Sequence, residues 1–238
     1  MCRRHEAFFI GTKLLKINQY KTIVFDCDGV ILDSNVVKTE AYFRTAKNLG
    51  ATDAQAQALV DYHVKLGGIS RYHKFDWYLR EVLNQPVTGL AIQTLLDAFS
   101  QELEEGLMTC AIADNLQTLR DATPQANWMI LSGGDQEEIR QLFAKRKIAS
   151  GQSLASLFDG GLFGSPANKD EVLARELTNC NVQLPALFVG DSKYDFEASR
   201  RAGLDFVFVS DWTEVAQWEA FCKAHQITVL NNISQLLD

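Results

Sequence analysis

The sequence predicts a doubly wound parallel α/β sheet with a second, smaller all-helical domain inserted into it. Three observations carry this. Short apolar runs rich in β-formers recur at residues 22–26 (TIVFD), 127–131 (NWMIL), 186–189 (ALFV) and 206–209 (FVFV). Strands apolar on both faces belong to a sheet covered on both sides, and amphipathic stretches of helical length separate the later runs. Residues 37–109, by contrast, hold helical patterns only.

Residues 1–19 read as an N-terminal extension. Arg3 and Arg4 precede an apolar run, 7–10, too short for a secretory signal, and Lys13 and Lys16 follow at once. Strand 22–26 opens an α/β core expected over 20–36 and 110–238. The insertion, 37–109, supplies helices at 37–49 before Gly50, 53–66 before Gly67, 70–83 with Ser70 as N-cap, and 88–105. Tyr72, Phe75, Trp77 and Tyr78 lie at helical spacing, which suits the core of that insertion better than a ligand pocket. Its crossings to the core are expected near 34–37 and 108–114. Beyond strand 127–131, Asp135 with Glu138 marks a capped helix start. Helices follow at 168–177 and 194–202, the latter stopped by Gly203. Trp212 and Trp218 read as core, and 227–230 as an edge strand before a short helix.

Composition narrows the function. The 23 basic and 30 acidic side chains leave a net charge of −7, which repels phosphate backbones and argues against a nucleic-acid partner. No apolar run reaches the roughly 18 residues that cross a bilayer, so no membrane partner is expected. Cys2, Cys27, Cys110, Cys180 and Cys222 are widely spaced, odd in number and form no C-x-x-C pair. That pattern suits a reduced cytoplasmic protein with mostly buried thiols, not a disulfide framework or a zinc site. Oligomeric state is not specified.

Three strands end in polar signatures: Asp26-Cys27-Asp28-Gly29-Val30, Ser132-Gly133-Gly134 and Gly190-Asp191-Ser192-Lys193-Tyr194-Asp195. A parallel sheet gathers its carboxyl ends at one edge, where open α/β folds bind ligands. Asp26 and Asp28, two apart, point the same way if the strand stays extended, and they repel unless a cation or shared proton intervenes. With Asp191 and Asp195 the site would hold up to four carboxyl groups, a donor set suited to Mg²⁺. Alone, the D-x-D pattern better suits a solvated turn; followed by G-D-x-x-x-D at a second strand end it is far more specific. Ser132 and Gly133 precede a helix, where a hydroxyl and free backbone N–H groups can hold a phosphoryl oxygen, or where Ser132 is an ordinary cap. Lys169 opens a helix against its dipole, which pairing with Asp26 and a phosphoryl group would explain; a solvated surface lysine is the alternative.

Together these motifs resemble the haloacid dehalogenase-like hydrolase superfamily, in the branch with a helical cap after the first motif, which includes β-phosphoglucomutase-like and phosphoglycolate phosphatase-like members. The resemblance runs from Lys21 onward. It implies a Rossmann-like core with a helical cap, entered at a hinge at Asp33-Ser34. It implies that Asp26 is the nucleophile, forming an aspartyl-phosphate, and that Asp28 is the general acid/base, protonated at first. Ser132 matches the second motif and Lys169 the third. Asp191, in the fourth motif, would hold Mg²⁺ with Asp26 and the main-chain carbonyl of Asp28. The implied reaction is hydrolysis of a phosphate monoester whose identity the motifs do not specify. A helical cap closing over the cleft should admit a small ester, and Arg71 and Lys74 could read a second polar group, which favours a sugar phosphate or related metabolite.

Leu66-Gly67-Gly68-Ile69-Ser70-Arg71 resembles the cap loop of β-phosphoglucomutase-like members, whose arginine reaches the substrate's distal phosphate. Arg71 would do so here, with His73 and Lys74 close in sequence; an exposed arginine on a first helical turn is the alternative. Those mutases carry a His ten residues after the second Asp, where this chain has Lys38, so a phosphatase ranks ahead of a phosphomutase. Relatives that cleave carbon–halogen or phosphonate bonds lack the second Asp. A receiver-like or phospho-ligand-binding protein is the non-enzyme alternative. The chain's length, its insertion and Asp28 argue against it.

Overall fold

The computed structural model describes residues 16–237. Cys2 and all but the last residues of the expected 1–19 extension lie outside them. Residues Ile17–Gln19 form one 3-10 turn.

Six parallel strands build one sheet in the order β3-β2-β1-β4-β5-β6. They are β1 (Thr22–Phe25), β2 (Asn127–Asp135), β3 (Gly161–Ser165), β4 (Ala186–Gly190), β5 (Asp205–Val209) and β6 (Thr228–Leu230). Every residue of β1 is buried. Alternation explains why: Ile23 and Phe25 join Trp128, Ile130, Leu187 and Val189 in one apolar layer. Val24 faces the other way, with Met129, Leu131 and Phe188. Phe25 pairs with both Ile130 and Val189. The residues that follow β1, the middle of β2 and the end of β4 therefore emerge together at one edge.

The insertion contains α1 (Asn35–Asn48), α2 (Asp53–Lys65), α3 (Arg71–Trp77) and α4 (Gly89–Thr109), with a π-helical turn at Tyr78–Val82 prolonging α3. Thr52 caps α2 in a capping box with Gln55, and Thr88 caps α4. These helices bury an apolar cluster of their own, including Tyr42, Leu59, Phe75, Tyr78, Phe99 and Leu103. Tyr72 and Trp77 pack against its margin.

The chain enters and leaves this insertion side by side. Leu32 and Ile112 form an antiparallel bridge. Asp33 N donates to Ala111 O at 3.0 Å, and Ala113 N donates to Ile31 O at 2.9 Å. Arg146 clamps the exit, its guanidinium donating to Leu107 O at 2.5 Å and Cys110 O at 2.6 Å.

Five helices cover the sheet: α5 (Leu116–Ala122), α6 (Gln136–Lys145), α7 (Lys169–Thr178), α8 (Lys193–Arg201) and α9 (Trp218–His225). The sequence pattern did not reveal β3, α5 or α9. Strand β2 also runs on through Ser132-Gly133-Gly134 to Asp135, with a register shift after Leu131. Trp212 and Trp218 are half-buried at the edges of the apolar clusters rather than within them. Of the four described thiols, Cys27 and Cys222 are buried, Cys110 is half-buried, and Cys180 departs from the expected burial by being exposed. No helix among the described residues is long and apolar enough to cross a membrane.

Candidate active site

Asp26 leaves β1 buried, and its Oδ1 accepts from the N–H of Cys27 at 2.8 Å. Lys169 is the first residue of α7, whose start is set by an Asn168–Glu171 capping box. That placement carries its ammonium inward, 3.0 Å from Asp26 Oδ1 and paired also with Asp195. Lys169 is only 1% exposed, which removes the reading of a solvated surface lysine. Asp195 completes the capping box of α8, accepting from Ser192 N at 3.1 Å and Ser192 Oγ at 2.7 Å. Asp191 follows β4, and its Oδ2 accepts from Asn35 at 2.9 Å. Gly29 adopts φ +78°, and a Cβ there would stand 2.2 Å from Asp191 Oδ2, so the glycine after the D-x-D pair is needed twice over.

Carboxylate oxygens of Asp26, Asp191 and Asp195 lie within 4.8 Å of one another, all buried. Burial, then the charge of Asp195, pushes the Asp26 carboxyl up to about 7. Burial, then Asp26 and Asp195, pushes Asp191 well above the usual carboxylate range. Burial works against the Lys169 charge, but Asp195 and Asp26 outweigh it and raise the ammonium's pKa. Three carboxyl groups against one ammonium leave a deficit of positive charge among hard oxygen donors. A bound Mg²⁺ fits both the charge and the donor set.

The Asp28 carboxylate stands apart from this cluster. It pairs with Lys38 Nζ and accepts from Ser34 Oγ at 2.6 Å and Ser132 Oγ at 3.3 Å. Burial alone would raise its pKa, yet Lys38 and Ser34 hold it below the usual range. Asp28 is therefore ionised in this arrangement, where a carboxyl protonated at first was expected. Lys38, read from sequence as a departure and a surface residue, is the partner responsible.

Ser132 Oγ accepts from Gly134 N at 3.0 Å besides donating to Asp28. Gly133 does something unforeseen: a Cβ on it would meet the Gly68 carbonyl oxygen at 2.4 Å. The loop before α3 thus rests directly on β2, with Gly68 close to Ser192 as well. Arg71 is buried at 4% exposure, not exposed on a first turn. Its guanidinium grips Glu138 of α6 at 2.7 and 2.9 Å and lies 4.8 Å from the Phe99 ring centre. Ser100 donates to the same Glu138, and Tyr72 OH donates to Asp135 at 3.1 Å. Arg71 lines the pocket, but as one half of a latch between insertion and core.

These contacts roof a pocket over Asp26, lined also by Asp28, Lys38, Arg71, Lys74 and Asp191. Gly133→Ala should hold the insertion off the core. A displacement of roughly 1 Å at a reacting centre costs about 100-fold in rate. We expect a drop of that order in kcat/KM with the far-ultraviolet circular dichroism unaltered; an unchanged kcat/KM would show that this contact does not matter.

Lys74 of α3 is 2% exposed, with its Nζ 2.8 Å from His63 Nδ1. Burial, then Lys38, pulls the ammonium down to about 7. Burial, then Lys74, also pulls the His63 imidazolium well below its ordinary range. Between pH 7 and the unfolded value of 10.5, the unfolded chain binds the Lys74 proton and the folded chain does not, so this group makes stability rise with pH there. Lys74→Met should stabilise the protein most at pH 6.5, and its advantage should shrink by about 3 kcal/mol by pH 9.5. Urea unfolding of both proteins at the two pH values measures this.

Sequence reasoning found the carboxylates, Ser132 and Lys169, and marked the positions of Lys38 and Gly68 without their contacts, but missed Asn35 and the role of Glu138. Their partners lie across the two chain crossings, and no local spacing announces them.

A family model described as haloacid dehalogenase-like hydrolase matches residues 20–203. No curated protein matches the chain in sequence. Among solved structures, a predicted phosphoglycolate phosphatase from Haemophilus somnus 129PT is 17% identical with a TM-score of 0.68, covering 92% of this chain and 97% of its own. A predicted phosphatase from Clostridium acetobutylicum is 17% identical with a TM-score of 0.67, covering 92% and 96%. A phosphonoacetaldehyde hydrolase like protein from Oleispira antarctica is 15% identical with a TM-score of 0.64, covering 96% and 94%. At these identities the likeness is one of fold.

Proposed function

Because the chain belongs to the haloacid dehalogenase-like hydrolases, we propose that it is a phosphatase acting on a small phosphate monoester through a phosphorylated Asp26. The observation that carries this is the buried run Asp26–Lys169–Asp195 beside Asp191. Two of the similar structures bear phosphatase names, one of them a phosphoglycolate phosphatase, which agrees with the reading.

Lys169 and the Cys27 N–H hold Asp26 Oδ1, which leaves Oδ2 as the attacking oxygen. Oδ2 forms a bond to phosphorus as the ester P–O bond breaks. The departing oxygen takes its proton from the Lys38 ammonium of the Lys38–Asp28 pair, and the proton that Asp28 later takes from water returns to Lys38. In the second step the ionised Asp28 accepts a proton from water, whose oxygen attacks phosphorus and frees Asp26. Lys169 and Ser132 offset charge on the transferring group. A Mg²⁺ held by Asp26 and Asp191 would supply charge neutralisation for the phosphoryl oxygens. Asp195, whose oxygens serve Lys169 and Ser192, positions the lysine.

The pocket over Asp26, covered by the insertion, favours a small ester, a sugar phosphate or related metabolite, over protein or nucleic acid. The net charge of −7 points the same way, and the free cysteines suit a cytoplasmic setting. The Lys38–Asp28 pair weighs against a phosphomutase, because it keeps a base ready for water.

The test is phosphate release from a panel of small phosphate esters with Mg²⁺ and with excess chelator. We expect release from selected esters, cut by about 100-fold or more on chelation. Silence from every ester in Mg²⁺ would remove the phosphatase reading.

A further inference from the structure

Glu214 stands in the loop between β5 and α9 and lines the pocket over Asp26. Its neighbours fix that loop. Thr213 Oγ1 donates to Asp191 O at 2.7 Å, and Asn35 Nδ2 donates to Trp212 O at 2.7 Å. Both carboxylate oxygens of Glu214 lie 3.0 Å from Thr39 Oγ1, which has one proton to give. No cation pairs with Glu214 among the described residues, and burial pushes its carboxyl up. Tyr42 of α1 lines the same pocket at 2% exposure, its ring packed on His63 and Phe99. Its hydroxyl has no hydrogen-bond partner among the described residues, where a buried tyrosine usually has one. The charges nearby are already balanced. Arg71 is matched by Glu138 and Lys38 by Asp28. Lys74 bonds to His63, and it offsets the charge of Glu214 without touching it.

We propose that Glu214 and Tyr42 receive hydroxyl groups of the substrate, so that the ester opened at Asp26 is the phosphate of a sugar or polyol and carries no second acid. One hydroxyl donates to the Glu214 carboxylate, a charge-assisted bond, and the same or a neighbouring one bonds to Tyr42 OH. A carboxylate or second phosphate in that place meets the Glu214 charge and finds no unmatched cation. An ammonium there meets Lys74. An alkyl chain leaves two sheltered polar groups without partners. Glu214 is thereby a specificity-determining residue, carried by the core and not by the insertion. The proposal rests on the phosphatase reading for what happens at Asp26, but not for the binding itself.

Calorimetric titrations of Asp26→Asn protein in Mg²⁺ buffer separate the two, because no turnover is needed. A three-carbon set compares glycerol 3-phosphate with propyl phosphate, 3-phosphoglycerate and 3-aminopropyl phosphate. A six-carbon set compares glucose 6-phosphate with hexyl phosphate and 6-phosphogluconate. In at least one set we expect the neutral hydroxylated ester to bind tightest, about tenfold or more ahead of its alkyl match. In Asp26→Asn/Glu214→Leu that ratio should collapse toward one. Asp26→Asn/Glu214→Gln keeps an acceptor of the same shape without the charge. It should retain part of the ratio and bind the acid member tighter than Asp26→Asn protein does, a change that a merely structural role would not produce. In the enzyme with Asp26 intact, the loss in Glu214→Leu should fall mainly on KM for the hydroxylated ester. Tightest binding by the alkyl, acid or amine member in both sets, or a hydroxyl preference that survives Glu214→Leu, overturns the proposal even if phosphate release is observed. A Glu214-dependent hydroxyl preference with no release from any ester would sustain it while the phosphatase reading falls.

Discussion

Asp26→Asn should abolish phosphate release, by about 10⁴-fold or more, while leaving a folded and more stable protein. The amide keeps the shape of the carboxyl and its place beside Lys169, but it cannot attack phosphorus. The stability gain follows from the sign of the pKa shift. Asp26 is drawn up to about 7 from an ordinary 3.8, chiefly by burial. Between those values the folded chain binds more protons than the unfolded one, so this carboxyl costs stability as pH rises through that window. Removing it should raise the metal-free midpoint of urea unfolding at pH 8, and Mg²⁺ should stabilise the variant less than the parent. An Asp26→Asn enzyme with appreciable activity would mean that the nucleophile lies elsewhere.

The second large effect is expected at Lys169. Lys169→Met leaves Asp26, Asp191 and Asp195 buried together without their ammonium. Breaking such a pair costs about 3–5 kcal/mol, and the uncompensated carboxyls respond by binding protons. The folded pKa values of Asp26 and Asp191 then lie further above the unfolded ones, so the penalty grows from pH 5 to pH 8. Activity should fall by about 1,000-fold or more, because a positive charge fixed at the transferring group is lost. Mg²⁺ should recover more stability in this variant than in the parent, by occupying the same carboxylates. Urea unfolding across pH, with and without Mg²⁺, reads all of this; a penalty flat in pH would show that the three carboxyls are not coupled through Lys169.

How much of this could be read from the chain depended on whether the signal was local. The four apolar runs marked β1, β2, β4 and β5 because each alternates between two covered faces. Strand β3, Gly-Leu-Phe-Gly-Ser, has two glycines and too few apolar residues to stand out, yet β2 gives it a partner and shelter. Asp26, Asp28 and Asp191 were legible because glycines and strand ends flank them at fixed offsets. Arg71 and Gly133 were legible as residues of the site but not in their setting, since Glu138 and Gly68 lie far off in sequence. The ionisation of Asp28 could not be foreseen either. It depends on Lys38, ten residues later and on the other side of the hinge, turning back toward the core.

The paired crossings at residues 31–33 and 111–113 have a mechanical meaning. Two strands hydrogen-bonded side by side twist together far more readily than they splay. The insertion is therefore hung like a door on two adjacent pins, with one easy rotation and little freedom to slide. Its latch, Arg71 on Glu138, sits away from those pins, where a small angle sweeps a long arc. A rotation about those pins would separate Gly68 from Gly133 and widen the pocket, while Asp26, Lys169 and Asp191, all on the core, would keep their places. Opening would also withdraw Lys38 from Asp28 and Asn35 from Asp191, because both belong to α1 of the insertion.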